Sequence, residues 1–152
     1  MVSVIELMQA MAVTFTNIPE LVALLENPAP VTAYIDENPT RNSVSKAIYQ
    51  MPSGSLLLAW SGTSMDIEAE TMLAWTHAIQ VYIRASRGGS ALAVIDALVD
   101  GIPVPGDGLR WRYCPLISGV LPTVVTDMAR LIDEEGIDYY VVSTATQETG
   151  DN

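Results

Sequence analysis

Basic side chains are scarce in this sequence. Lys46 is the sole lysine, and with six arginines the bases number 7 against 18 acids, a net charge of −11 over 152 residues. A protein that grips a phosphate backbone needs clustered Lys and Arg, so that class of function is excluded, although nucleic acid can pass such a surface without adhering. Cys114 stands alone, which rules out an internal disulfide and fits a reducing cytoplasm. Set within Arg110-Trp111-Arg112-Tyr113-Cys114-Pro115, it reads as a packed thiol rather than a reactive one. His77 is the sole histidine, and one imidazole with one thiol cannot build a zinc site of nitrogen and sulfur ligands. No apolar run approaches the roughly 20 residues that span a bilayer. The segment Met1 to Glu6 has no basic stretch and carries an acid, so no secretory leader is expected.

What is abundant is apolar. Hydrophobic residues make up 49% and charged ones 16%, with a mean hydropathy of +0.28. The length predicts one domain over residues 1–152, large enough for a real core. Low charge with so many apolar residues has two explanations: a large core, or an apolar surface hidden in an oligomer. In so short a chain the second is favoured.

Val4, Leu7, Met8 and Met11 recur at helical spacing behind Ser3 as N-cap, and a break is expected at Thr14-Phe15-Thr16. Asn17 reads as the cap of a second helix with Pro19 in its first turn and Ile18, Leu21, Leu24 and Leu25 as its stripe, closed by Asn27-Pro28-Ala29-Pro30. Val31 to Ile35 predicts a short strand and Ser43 to Gln50 a short helix. Pro52-Ser53-Gly54 turns into Leu56-Leu57-Leu58-Ala59-Trp60, an unbroken run that suits a strand buried on both faces.

From Ile67 to Ile83 apolar and wet positions alternate, with Trp75, His77, Ile79, Val81 and Ile83 on one face. Seventeen extended residues would run roughly 55–60 Å, too long for a compact domain. The acidic stretch Ser61 to Glu70 is therefore expected to be a loop or projecting arm joining strands at 55–61 and 72–84. Ser90 caps a third helix striped by Leu92, Ile95 and Val99 and stopped by Gly101. Leu109 to Cys114 alternates as a strand. Val124 to Ile132 fits strand or helix, with strand preferred, and Ile137 to Thr146 is a final strand before a polar tail. The fold expected is α+β: a single largely antiparallel or mixed sheet with a long hairpin, covered by two or three helices.

A search for chemistry yields little. The acidic groups Asp133, Glu134, Glu135 and Asp138, or Asp66, Glu68 and Glu70, do not match a calcium loop and read as solvated turns. His77 has no Gly-x-Ser-x-Gly elbow and no second base of its kind, so it reads as a hydrogen-bonded sheet residue. Gly88-Gly89-Ser90 lacks the spacing of a phosphate loop and reads as a strand-to-helix turn. Trp60, Trp75, Trp111 and Tyr139-Tyr140 lack adjacent basic residues for base stacking, which favours core packing or a subunit interface. Neither catalytic nor cofactor nor metal residues are assigned.

Two stretches carry a likeness. Met51-Pro52-Ser53-Gly54-Ser55-Leu56-Leu57-Leu58-Ala59-Trp60-Ser61-Gly62-Thr63 resembles a turn and strand of bacteriophage neck and tail terminator proteins. Arg130-Leu131-Ile132-Asp133-Glu134-Glu135-Gly136-Ile137-Asp138-Tyr139-Tyr140, running on to Glu148-Thr149-Gly150-Asp151-Asn152, resembles the last strand and acidic tail of tail completion proteins of long-tailed phages. The resemblance implies a non-enzymatic ring, commonly of six subunits, that caps the tail tube and meets the head-tail connector. It implies no cofactor, and a place in the virion neck after assembly in the host cytoplasm.

The partners expected are copies of the chain itself, the tail tube protein and the connector or adaptor protein, with DNA passing through unbound and no membrane. The candidate docking or lumen segment is Ser61, Gly62, Thr63, Ser64, Met65, Asp66, Glu68 and Glu70. A head-closure or adaptor ring is the nearest alternative. From other classes, a small acidic enzyme using His77 and a ligand-binding domain with a pocket of the three tryptophans compete with it.

Overall fold

A computed structural model describes residues 3–26, 30–35, 43–69, 72–86, 88–100, 123–132 and 138–151. The first helix, α1 (Val4–Thr16), opens with the Glu6 amide on the Ser3 side chain and buries Leu7, Met8, Ala10, Met11 and Phe15. The expected break at 14–16 does not occur. Thr14 and Thr16 donate their hydroxyls to the carbonyls of Ala10 and Ala12, at 2.9 and 2.7 Å, so both side chains are satisfied inside the helix, while Phe15 is drawn into the core. Asn17 ends α1 rather than opening the next helix, and α2 (Pro19–Val22) starts from Ile18 with no side-chain cap. Leu24 and Leu25 lie past its end but still pack on the core.

The strands are β1 (Val31–Ala33), β2 (Ser55–Ala69), β3 (Met72–Arg84), β4 (Val124–Ile132) and β5 (Asp138–Asp151), with α3 (Ser43–Tyr49) before β2 and α4 (Ala91–Asp100) after β3. They form one mixed sheet in the order β1-β2-β3-β5-β4, in which β1 is parallel to β2 and every other pair is antiparallel. The long hairpin is present, and the strand reading of 124–132 holds. The expected strand over 109–114, Trp111, Cys114, Gly101 and the polar turn at 133–136 lie outside the described residues.

Side chains opposite one another across a ladder share a face. Leu56, Leu58, Ile79, Val81, Ile83 and Val142 therefore form one apolar face, which α1, α2 and α4 cover. On α4 the buried positions are Ala91, Val94, Ile95, Leu98 and Val99, so Ile95 and Val99 of the expected stripe are buried while Leu92 is exposed. Ser90 does cap this helix, its hydroxyl accepting from the Ala93 amide, and Gly88 supplies a left-handed turn at φ +79° just before it. On the opposite sheet face Leu57 and Tyr139 pack with Met51, Ala47 and Ile48, the last two from α3. Leu57 and Ala59 are buried as well as Leu56 and Leu58, as an unbroken apolar strand requires.

Candidate functional site

Ser61 to Ala69 is strand, not loop: β2 pairs with β3 through to Ala69 opposite Met72, leaving only residues 70 and 71 between them. The reason is a change of alternation. Along β2 the helix-side positions are Leu56, Leu58 and Trp60; the register shifts between Trp60 and Gly62, and from there Thr63, Met65 and Ile67 oppose His77, Trp75 and Leu73. Ser61 is the extra residue of a β-bulge, and its hydroxyl donates to the Ala78 carbonyl at 3.2 Å. Gly62 follows at φ +155° with open space where a Cβ would stand. The bulge keeps Thr63, Met65 and Ile67 on the helix side and turns Ser64 and Asp66 to the other. The polar tail is likewise strand, since β5 accompanies β3 as far as Asp151 opposite Met72.

The pairing gathers a buried polar row across the three central strands. Thr63 Oγ1 lies 2.9 Å from His77 Nδ1 and accepts from Trp60 Nε1 at 3.0 Å. His77 Nε2 stands 3.3 Å from Glu148 Oε1 but outside hydrogen-bond geometry, so that contact is electrostatic. His77 is wholly buried and Glu148 nearly so. Indole N–H only donates, so it occupies a lone pair of the Thr63 oxygen and leaves the hydroxyl proton for His77 Nδ1. In its neutral form the imidazole then carries its own proton on Nε2, toward the carboxylate. Beside them Thr146 shares a 2.7 Å hydrogen bond with Thr123, and Thr144 donates to the Ile79 carbonyl at 2.7 Å.

Of the candidate residues, only Thr63 enters this row. Ser61 and Gly62 form the bulge, Ser64 and Asp66 oppose Thr76 and Ala74, and Met65 opposes Trp75. Glu68 sits at a second register shift, between Ile67 and Ala69, and Glu70 lies outside the described residues. Glu148 was missed. Its signal is the alternation Tyr140, Val142, Thr144, Thr146, Glu148, which places it in line with buried positions once the tail is read as strand.

Above this row the surface is apolar and, among the described residues, uncovered. Trp60 is 49% exposed, Met65 61% and Ile67 72%, all on one sheet face. Trp60 and Trp75 oppose different residues of the partner strand, Ile79 and Met65, so they do not pair directly across the ladder. Among the described residues no three His, Cys, Asp or Glu side chains gather as a metal site, and no helix is long and apolar enough to cross a membrane. No protein-family model matches the chain, and no curated protein matches it.

Proposed function

We propose that this chain is a structural subunit of a long-tailed bacteriophage, closing with copies of itself into a ring that ends the tail tube and joins it to the head connector. The observation that carries the reading is the far end of the β2–β3 hairpin. Large apolar side chains, Trp60, Met65 and Ile67, are exposed on a bulged strand, where an assembled neighbour would cover them. Beneath them hydrogen bonds from Trp60 to Thr63 and between Thr63 and His77 tie β2 to β3. Work is done by complementarity: one ring face repeats the contacts of a tube subunit, and the other offers no site for further addition. The net charge of −11 would let DNA slide through the ring without adhering, and no cofactor is needed. The ring belongs to the virion neck and is assembled in the host cytoplasm.

Deleting the gene and imaging the particles tests this. Tails of uncontrolled length are expected; normal tails that fail to join heads would instead assign the adaptor role. Normal, infectious particles would refute both.

A second reading has one observation in its favour. A hydroxyl, an imidazole and a carboxylate in a row, Thr63, His77 and Glu148, is the arrangement of an activated nucleophile. The imidazole is fully buried and the hydroxyl is already engaged by Trp60, which favours a structural role. Thr63→Val keeps the shape and removes the nucleophile; hydrolysis of an activated ester by the wild type that this variant abolishes, with the fold kept, would favour the enzyme, and no turnover by either chain would oppose it.

A further inference from the structure

Each edge of the sheet ends in a strand whose outer side meets no other described strand over much of its length. β1 covers β2 only at Leu56, Leu57 and Leu58, so from Ala59 to Ala69 the outer side of β2 is open among the described residues. At the other edge β4 pairs, among the described residues, with β5 alone. Open edges of this length invite another strand.

Three features say which strand. The first is polarity. β2 runs against β3, β3 against β5 and β5 against β4, so β2 and β4 are antiparallel. A β4 laid beside the β2 of the next copy, with the helices kept on the same side, meets it in antiparallel sense and extends the sheet without a flip. The second is length: β4 has 9 residues, and the open part of β2, residues 59–69, accommodates them. The third is side-chain character. Met128 on β4 is 48% exposed and opposes Val142, which puts it on the helix side with the exposed Met65 and Ile67 of β2, so on that face each edge carries apolar groups that the other would cover; Leu131, opposite Tyr139, lies on the other face. β4 holds Asp127 and Arg130 and is net neutral, so the acidic β2 segment meets no excess of like charge.

We infer that neighbouring copies join edge to edge, β4 of one chain pairing with residues 59–69 of β2 in the next. The inference rests on the ring reading and specifies its interface. Such a contact is head-to-tail, the kind that closes rings.

The backbone groups involved can be named. Leu56 N donates to the Pro30 carbonyl and the Leu58 carbonyl accepts from Tyr34 N, so at these positions the polar groups point outward. Leu56 and Leu58 oppose Ile83 and Val81, and the same alternate positions of β3, continued past the bulge, oppose Thr63, Met65 and Ile67. Their amides therefore point outward too. Proline at Met65 removes one outward donor and none from the β2–β3 ladder.

The test uses the full chain with Met65→Pro, with Ile67→Lys as a second β2-edge change at a more exposed position, and with Met128→Lys on β4. Masses are read by light scattering and fold by circular dichroism. The wild-type chain is expected to associate, and each variant to remain folded with its mass reduced to one chain. An equimolar mixture of a β2-edge and a β4-edge variant is expected to form two-chain species and nothing larger, because one intact edge remains on each. Folded β2-edge variants that keep the wild-type mass, or a mixture that stays monomeric, would overturn the edge pairing while leaving the ring itself standing. A wild-type chain monomeric at every concentration, and with tail tubes added, would overturn both.

Discussion

Tyr82 donates its hydroxyl to Gln80 Oε1 at 2.6 Å, and burial raises its phenol above the ordinary value near 10. The unfolded chain gives up this proton first as pH rises, so the folded state binds more protons in that range. The stability contributed is complete below the unfolded value and falls as pH climbs through the folded one. Urea midpoints should therefore decline less steeply above about pH 10 in Tyr82→Phe than in the wild type; parallel curves would refute this.

Gly54 is a sharper case. It holds φ +67°, and a Cβ there would meet Glu26 N at 2.7 Å, where the Glu26 amide donates to the Gly54 carbonyl. Gly54→Ala is expected to cost about 1–3 kcal/mol, measured by urea unfolding, with a loss below about 0.5 kcal/mol counting against the strain. His77→Ala leaves Thr63 and a buried carboxylate without the ring between them. A loss of roughly 3 kcal/mol or more follows. That cost makes His77 a poor probe of catalysis, because lost fold would mimic lost chemistry.

At the scale of elements, the bulge at Ser61 decides what β2 presents. Taking out Ser61 joins Trp60 to Gly62 and leaves every later residue opposite its present partner. Taking out Ser64, where no extra residue exists, moves Met65 and all that follow by one and reverses their faces. Deletion of Ser61 is thus expected to leave the urea midpoint closer to wild type than deletion of Ser64, and the reverse order would refute the bulge. On the helical side, α4 is held by its buried stripe. Leu98→Ala should cost about 2–5 kcal/mol, against under about 0.5 kcal/mol for the exposed Leu92→Ala.

For the molecule as a whole, the balance lies between apolar faces that associate and a net charge of −11 that resists association. Repulsion between acidic copies weakens as salt shortens the screening length, from roughly 10 Å at 0.1 M toward 3 Å at 1 M. Apolar contact does not weaken in the same way. Added salt is expected to raise the average mass in sedimentation, and dissociation by salt would show that ion pairs, not apolar edges, hold the copies together.

Much of this architecture was legible in the chain. Local spacing determined a helix starting at Val4, the helix at 91–100, the strand over 72–84 and the mixed α+β class, because side-chain period and caps are properties of neighbours in sequence. Helix α1 outran its expected end because hydroxyls that favour a break can also bond the helix's own carbonyls, and only burial of Phe15 tips the choice. Ser61 to Ala69 reads as a loop because it is acidic and one strand over 67–83 would be too long for the domain; that run is instead divided between β2, which ends at Ala69, and β3, which begins at Met72.

Tertiary structure alone decided that this segment is strand, that Glu148 in an apparently polar tail is buried, and that it stands beside His77 seventy-one positions earlier. The physical reason is the same in each case. A ladder satisfies backbone groups of any sequence that a partner strand can reach, so acidic and polar stretches become sheet when β3 is there to template them.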